Sequence, residues 1–238
     1  MGTPSAWVLQ QVVVEVQFAR GMVYLDRCGS LMLQLEDALG KGFVGSVPTM
    51  NQAEIRSRSE HMVLTYGIKN FTVAQEWVKT AARVEHIAPM AWEKIAGSLD
   101  VGKHVTRCGV RYIMWSRAED DPKARELVAS CALAPSSDLW KSISTGTMLA
   151  YSAVSEDKAG KLRVTIESTE TTIDGALPAT LEQLIPRHAF VLDMDHTYPG
   201  KGSYSLSKAD LKDFIRSSWQ RTRDAAKVVG PPLGFANE

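Results

Sequence analysis

The chain has few cysteines, no excess of charge of either sign, and no long apolar run. Its three cysteines, Cys28, Cys108 and Cys131, are an odd number spread far apart. That excludes a disulfide framework and a paired-cysteine zinc motif, and reads as reduced thiols in a cytoplasmic protein. Lys and Arg number 27, as do Asp and Glu, so no overall charge draws the chain to nucleic acid or to an anionic membrane. No hydrophobic stretch reaches the length of a membrane span. Residues Met1–Ser5 carry neither the basic nor the apolar region of a secretory leader. The nucleophile elbow GxSxG, the phosphate loop GxxxxGK[ST], the dinucleotide motif GxGxxG and the metal pairs HxH and HExxH are all missing. Gly40-Lys41-Gly42 and Gly200-Lys201-Gly202 are turn signals and by themselves say little about phosphate.

What is present is an ordinary globular composition. At 238 residues the chain can bury roughly 70–75% of its unfolded surface, so it needs no metal or disulfide to fold. Alternation predicts strands at Val12–Phe18, Ala53–Arg58, Met62–Tyr66, His104–Trp115 and Phe190–His196, a short strand within Gly42–Val47, and a hairpin from Thr147–Val154 and Leu162–Glu167 across a polar turn. Helical spacing predicts Leu31–Leu39, with Ser30 as N-cap and Gly40 as C-cap. It also predicts Met90–Leu99 after Pro89, a helix opened by Asp121-Pro122 with Cys131 on its inner side, one turn at Leu181–Leu184, and a final helix Lys208–Lys227 with a Ser207/Asp210 capping box. Phe71–Val84 reads equally as strand or helix. The expected fold is α+β: an antiparallel sheet with helices packed on one face. It divides into two similar β-α-β-β-β-α halves, residues 1–100 and 101–227, and a mobile tail, 228–238.

The strand Phe190–His196 carries the candidate chemistry. Phe190, Leu192 and Met194 point one way; Val191, Asp193 and Asp195 point the other. Two carboxylates on one face suit a hard divalent metal, an acid/base site or a network of ion pairs. Asp193, Asp195 and His196 would serve a metal-dependent hydrolase, with His188 or Glu167 as further ligands. Arg107 and Arg111, on one face of His104–Trp115, offer guanidinium partners across a sheet. The ion-pair network of Arg107, Arg111 and Asp193 is the preferred reading; no metal and no cofactor are expected, and any chemistry would fall to Asp195 and His196. A cleft between the halves, lined by Tyr112 and Tyr151, is the small-molecule alternative. The six tryptophans, Trp140 among them, and the aromatic-basic run Arg107–Arg117 would suit a single-strand stacking platform, which zero net charge disfavours.

Three strand motifs occur in order: Val14-Glu15-Val16-Gln17-Phe18, Gly109-Val110-Arg111-Tyr112-Ile113 and Leu192-Asp193-Met194-Asp195, the last followed by a helix with Phe214 and Trp219. Over nearly its whole length the chain resembles a sporadically distributed family of bacterial proteins known mainly as conserved hypotheticals. It departs from that pattern at Met114, where a polar residue, often Asn, is common. The resemblance brings no activity with it. It implies that Arg111 and Asp193 belong to a shared pattern, and that the biology is accessory, such as defence or a toxin–antitoxin-like partnership. With no complete catalytic set, the functional expectation is a non-enzymatic cytoplasmic protein that binds a protein partner or itself, away from membranes and nucleic acid.

Overall fold

The computed structural model of the chain describes residues 7–19, 23–78, 80–130, 150–170 and 186–229. Met1–Ser5, Cys131, Trp140, the first residues of the expected Thr147 strand, the turn at Leu181–Leu184 and the tail from residue 230 lie outside the described residues. The fold is α+β: nine strands form one open antiparallel sheet in the order β2-β3-β4-β5-β1-β6-β9-β8-β7, and four helices pack against it.

Strand pattern explains the layering. In β1 (Val8–Phe18), Val12, Val14, Val16 and Phe18 are buried, while Val13, Glu15 and Gln17 stay half-exposed. The same period of two in β6 (Val105–Arg117) and β9 (His188–Thr197) gives the sheet one apolar face and one polar face. Helices α1 (Tyr24–Leu39), α2 (Ala82–Leu99), α3 (Asp121–Ser130) and α4 (Lys208–Val229) cover the apolar face. Val128 of α3 belongs to the same cluster as Ile166 and Leu192, and Trp92 of α2 stacks on Phe71 while its Nε1–H donates to the Leu206 carbonyl at 2.9 Å. The Ser207/Asp210 capping box opens α4: the Asp210 N–H donates to Ser207 Oγ at 3.1 Å and the Ser207 N–H to the Asp210 carboxylate at 3.0 Å.

Three boundaries differ from the sequence expectation. Helix α1 begins at Tyr24, so Ser30 is not its N-cap; the Ser30 hydroxyl donates to the Arg27 carbonyl within the helix. Burial of Tyr24, whose hydroxyl reaches the Thr49 carbonyl, anchors the extra turns. Helix α2 begins at Ala82 and runs through Pro89. Val84, Ile87, Ala88, Ala91 and Trp92 are all buried, and this outweighs the lost backbone bond and ring clash, about 3 kcal/mol. Phe71–Val84 resolves into β5 (Asn70–Glu76) followed by the start of α2. The expected turn Ser155–Lys161 shrinks to Lys158–Ala159, because β7 (Ala150–Asp157) and β8 (Gly160–Glu170) pair almost to their tip.

The first half contributes β1, β5, β4 (Met62–Gly67), β3 (Gln52–Ser57) and β2 (Val44–Gly45), from the centre outward; the second contributes β6, β9, β8 and β7. Val14, Val73, Leu64 and Ile55 form one cross-strand row in the first; Tyr112, Met194, Val164 and Ala153 form one in the second. The halves meet along the β1/β6 ladder, from Val8↔Trp115 to Phe18↔Val105, so hydrogen-bonded backbone fills the place where a cleft was expected.

Candidate functional site

The polar face of the central strands carries a charged seam. Register sets it out: Arg111 of β6 lies opposite Asp195 of β9, and Ile113 opposite Asp193. Arg111 leans diagonally to take Asp193 in a fork, with Nε to Oδ1 at 2.8 Å and Nη2 to Oδ2 at 2.5 Å. Hydrogen bonding to Asp193 raises the Arg111 guanidinium above its ordinary pKa; burial opposes this, and the charge of Asp193 adds to it. Arg107 serves two strands at once: its Nη1 donates to Glu15 of β1, and its Nη2 lies 3.5 Å from Asp195 Oδ2. Gln17 Nε2 donates to the other oxygen of Glu15 at 3.1 Å. The seam therefore runs across three adjacent strands, Glu15–Arg107–Asp195 beside Arg111–Asp193.

A glycine makes room for it. Gly109 stands between the two arginines on the same face, opposite Glu15. A Cβ there would lie 3.1 Å from the Arg107 guanidinium and 3.4 Å from the His196 carbonyl oxygen. Arg107 thus lies flat over position 109 to reach both carboxylates. Sequence reasoning does not single out Glu15 or Gly109, although Glu15 sits in the alternation of Val12–Phe18; only the β1/β6 register identifies them as partners of Arg107.

His196 does not join the aspartates. Alternation turns it to the helical face, where it is 2% exposed, with Nε2 2.8 Å from Thr222 Oγ1 on α4 and its ring edge-on to Tyr112. Burial, reinforced by the nearby Arg221 charge, pushes its pKa down to about 4, so the imidazole is neutral at pH 7. Asp193, Asp195 and His196 therefore cannot converge on one metal or one water. Among the described residues no group of three His, Cys, Asp or Glu side chains is placed to hold a metal ion. Of the other candidate ligands, Glu167 lies opposite Val191 on the seam's face, and His188 is at the far end of β9.

The two tyrosines proposed for a ligand cleft are also apart. Tyr112 is wholly buried beneath α4, its hydroxyl donating to the Ile215 carbonyl at 2.9 Å. Tyr151 is half-buried on β7, three strands away, or about 14 Å at 4.7–4.9 Å per strand step. They share the helical face, with β9 and β8 between them. Cys108 is buried, its thiol pushed up to about 12 by desolvation, and is inert as a nucleophile at neutral pH.

Two other surface features stand out. Five of the eight large apolar side chains exposed among the described residues, Leu25, Leu33, Val44, Val47 and Met50, fall on α1 and the β2 segment at one end of the sheet. At the other end, a groove of about 640 Å³ lies between the β7–β8 turn and the segment after β9. No protein-family model and no curated protein matches the chain, so its chemistry has to be read from these residues. Among the described residues no helix is long and apolar enough to cross a membrane.

Proposed function

We propose that this is a non-enzymatic partner-binding protein whose partner is a second copy of the chain, docked through the edge formed by α1 and β2. The observation that carries the reading is the clustering of exposed apolar side chains there. Val47 is 88% exposed and Met50 76%, unusual for residues of their kind when neighbours are apolar too. The two segments that carry the exposed side chains are in contact: the Gly45 N–H donates to Glu36 of α1 at 2.5 Å, and Met32 lies against Gly45. Leu25, two turns before Met32, is on the same helical face, and Leu33 borders it. β2 is the edge strand of the sheet, and at two residues it offers little backbone for pairing, so the docking rests on the apolar side chains around it. Zero net charge removes any overall repulsion between copies.

The seam supports the non-enzymatic part of the reading. Asp193, Asp195 and Glu15 all face arginines, and the buried His196 lies on the far side of the sheet. The resemblance to a sporadically distributed bacterial family extends the proposal to an accessory role, such as a defence or toxin–antitoxin-like assembly. Light scattering across a concentration series is the test. A dimer is expected for the native protein, and a folded monomer for Val47→Glu with Met50→Glu. A native protein that is monomeric at every concentration overturns self-association, as does a dimer indifferent to both substitutions.

A further inference from the structure

We propose that the groove at the tip of the β7–β8 hairpin binds a small phosphate-bearing ligand. Its walls are the hairpin turn on one side and residues 197–201 on the other, and its volume of about 640 Å³ is in the range of small-molecule sites. Three lysines line it: Lys158 and Lys161 from the hairpin, and Lys201 from the opposite wall. Among the described residues none of the three ammonium groups is in an ion pair. Two carboxylates also line the groove. Asp157 is already engaged, accepting from the Ala159 N–H at 2.8 Å and from Arg221 of α4 at 3.2 Å. Glu156 lies opposite Lys161 in the ladder, without an ion pair among the described residues. Among the described residues the groove is thus lined by three lysines and one carboxylate that are in no ion pair.

The backbone adds donors. The N–H groups of Gly200, Lys201, Gly202 and Ser203 find no acceptor among the described residues, whereas the flanking N–H groups of Tyr198 and Tyr204 are bonded to Cys108 and Val105. A tetrahedral phosphate accepts from several ammonium and amide donors at once, which a single carboxylate ligand cannot match. The frame is tight on both sides. A Cβ at Gly160 would collide with the Thr197 carbonyl, so the hairpin presses directly on the opposite wall; one at Gly200 would strike the ring of Tyr204, which stacks on Tyr198. Glu156 on the rim sets a limit: it disfavours a long polyanion lying across the groove and leaves room for one phosphate-rich end.

Isothermal titration with pyrophosphate and with ADP, at constant ionic strength, tests this on the native chain, on Lys161→Ala with Lys201→Ala, and on Lys94→Ala as a distant control. Saturable binding is expected for the native protein and the control, weakened at least tenfold in the double variant. Equal affinity for the two probes assigns the site to phosphate alone. Tighter binding of ADP assigns it to a nucleotide, with the ring of Tyr198 as the contact to test next. Should the double variant lose its native circular dichroism, Lys158→Ala, at the exposed turn, takes its place. Absence of saturable binding, or binding unchanged by the lysine substitutions, overturns the proposal. It does so independently of the oligomeric state.

Discussion

Replacing Asp193 by Asn tests whether the seam holds the sheet together or holds a carboxylate ready for chemistry. The substitution keeps the shape and one acceptor oxygen but removes the charge that Arg111 grips. Two charge-assisted bonds at 2.8 and 2.5 Å would be worth several kcal/mol if fully buried. The pair is not: the Arg111 side chain is 51% exposed and that of Asp193 18%, so solvent screens much of the attraction. Between the buried and the exposed limits, Asp193→Asn is expected to cost about 1 kcal/mol. For a chain of this length that lowers the melting temperature by roughly 2–4 °C. A double-mutant cycle with Arg111→Met, measured by urea denaturation, isolates the pair, and a coupling energy of about 1 kcal/mol is expected. A coupling near zero would show that the fork contributes nothing. A gain in stability from Asp193→Asn would refute the structural reading outright, because a carboxylate whose removal stabilises a protein is one kept for function at a cost.

Three further outcomes follow from the packing. The neutral, buried His196 binds no proton in the folded state above pH 4, whereas in the unfolded chain it takes one below about 6.5. Stability should therefore fall as pH drops from about 6.5 to 4, by up to ~3 kcal/mol in total, and His196→Gln should flatten that slope in urea titrations. Gly160→Ala adds a Cβ at a positive φ of 112°, against the Thr197 carbonyl, and should cost about 2 kcal/mol or more in the same assay. Trp92→Phe removes the donor to the Leu206 carbonyl and opens space beside Phe71; an expected loss of about 2–3 kcal/mol would appear as a lower urea midpoint with an unchanged slope.

Period-two alternation makes most of the sheet legible. It places β3, β4, β6 and β9 within two residues of their observed bounds, misses the first four residues of β1, and by parity alone separates Asp193 and Asp195 from Leu192 and Met194. Carried one residue further, the same parity sends His196 to the helical face, so the aspartate–histidine trio fails on a signal already in the sequence. The helices are harder because local punctuation misleads. Gly29-Ser30 and Pro89 look like breakers, but tertiary burial of Tyr24 and Trp92 carries both helices through. What the sequence could not supply is register. Arg107 meets Glu15, 92 positions away in the chain, and only the β1/β6 pairing brings them together across Gly109.

Both halves place charge on the polar face of the sheet. In the second half one polar-face row reads Arg111, Asp195, Arg163 and Val154; one in the first half reads Val13, Ala74, Val63 and Arg56. One row further along, the second half reads Ile113, Asp193, Thr165 and Ser152, and the first Glu15, Thr72, Thr65 and Glu54. The first half is not free of charge on this face: Glu15 and Glu54 share the Thr72 row, and Glu15 is itself a seam residue. Nor are the halves identical: the first runs β-α-β-β-β-β-α, with β2 as an additional edge strand, against the β-α-β-β-β-α order of the second. Breaking an ion pair leaves a stranded charge and costs stability, whereas replacing both partners by apolar groups is often neutral. The cost predicted for Asp193→Asn is of the first kind, and joint replacement of Arg111 and Asp193 by apolar residues is expected to leave stability near that of the native chain. The seam is thus a set of paired charges to which both halves contribute, tying β1, β6 and β9 together across the centre of the sheet.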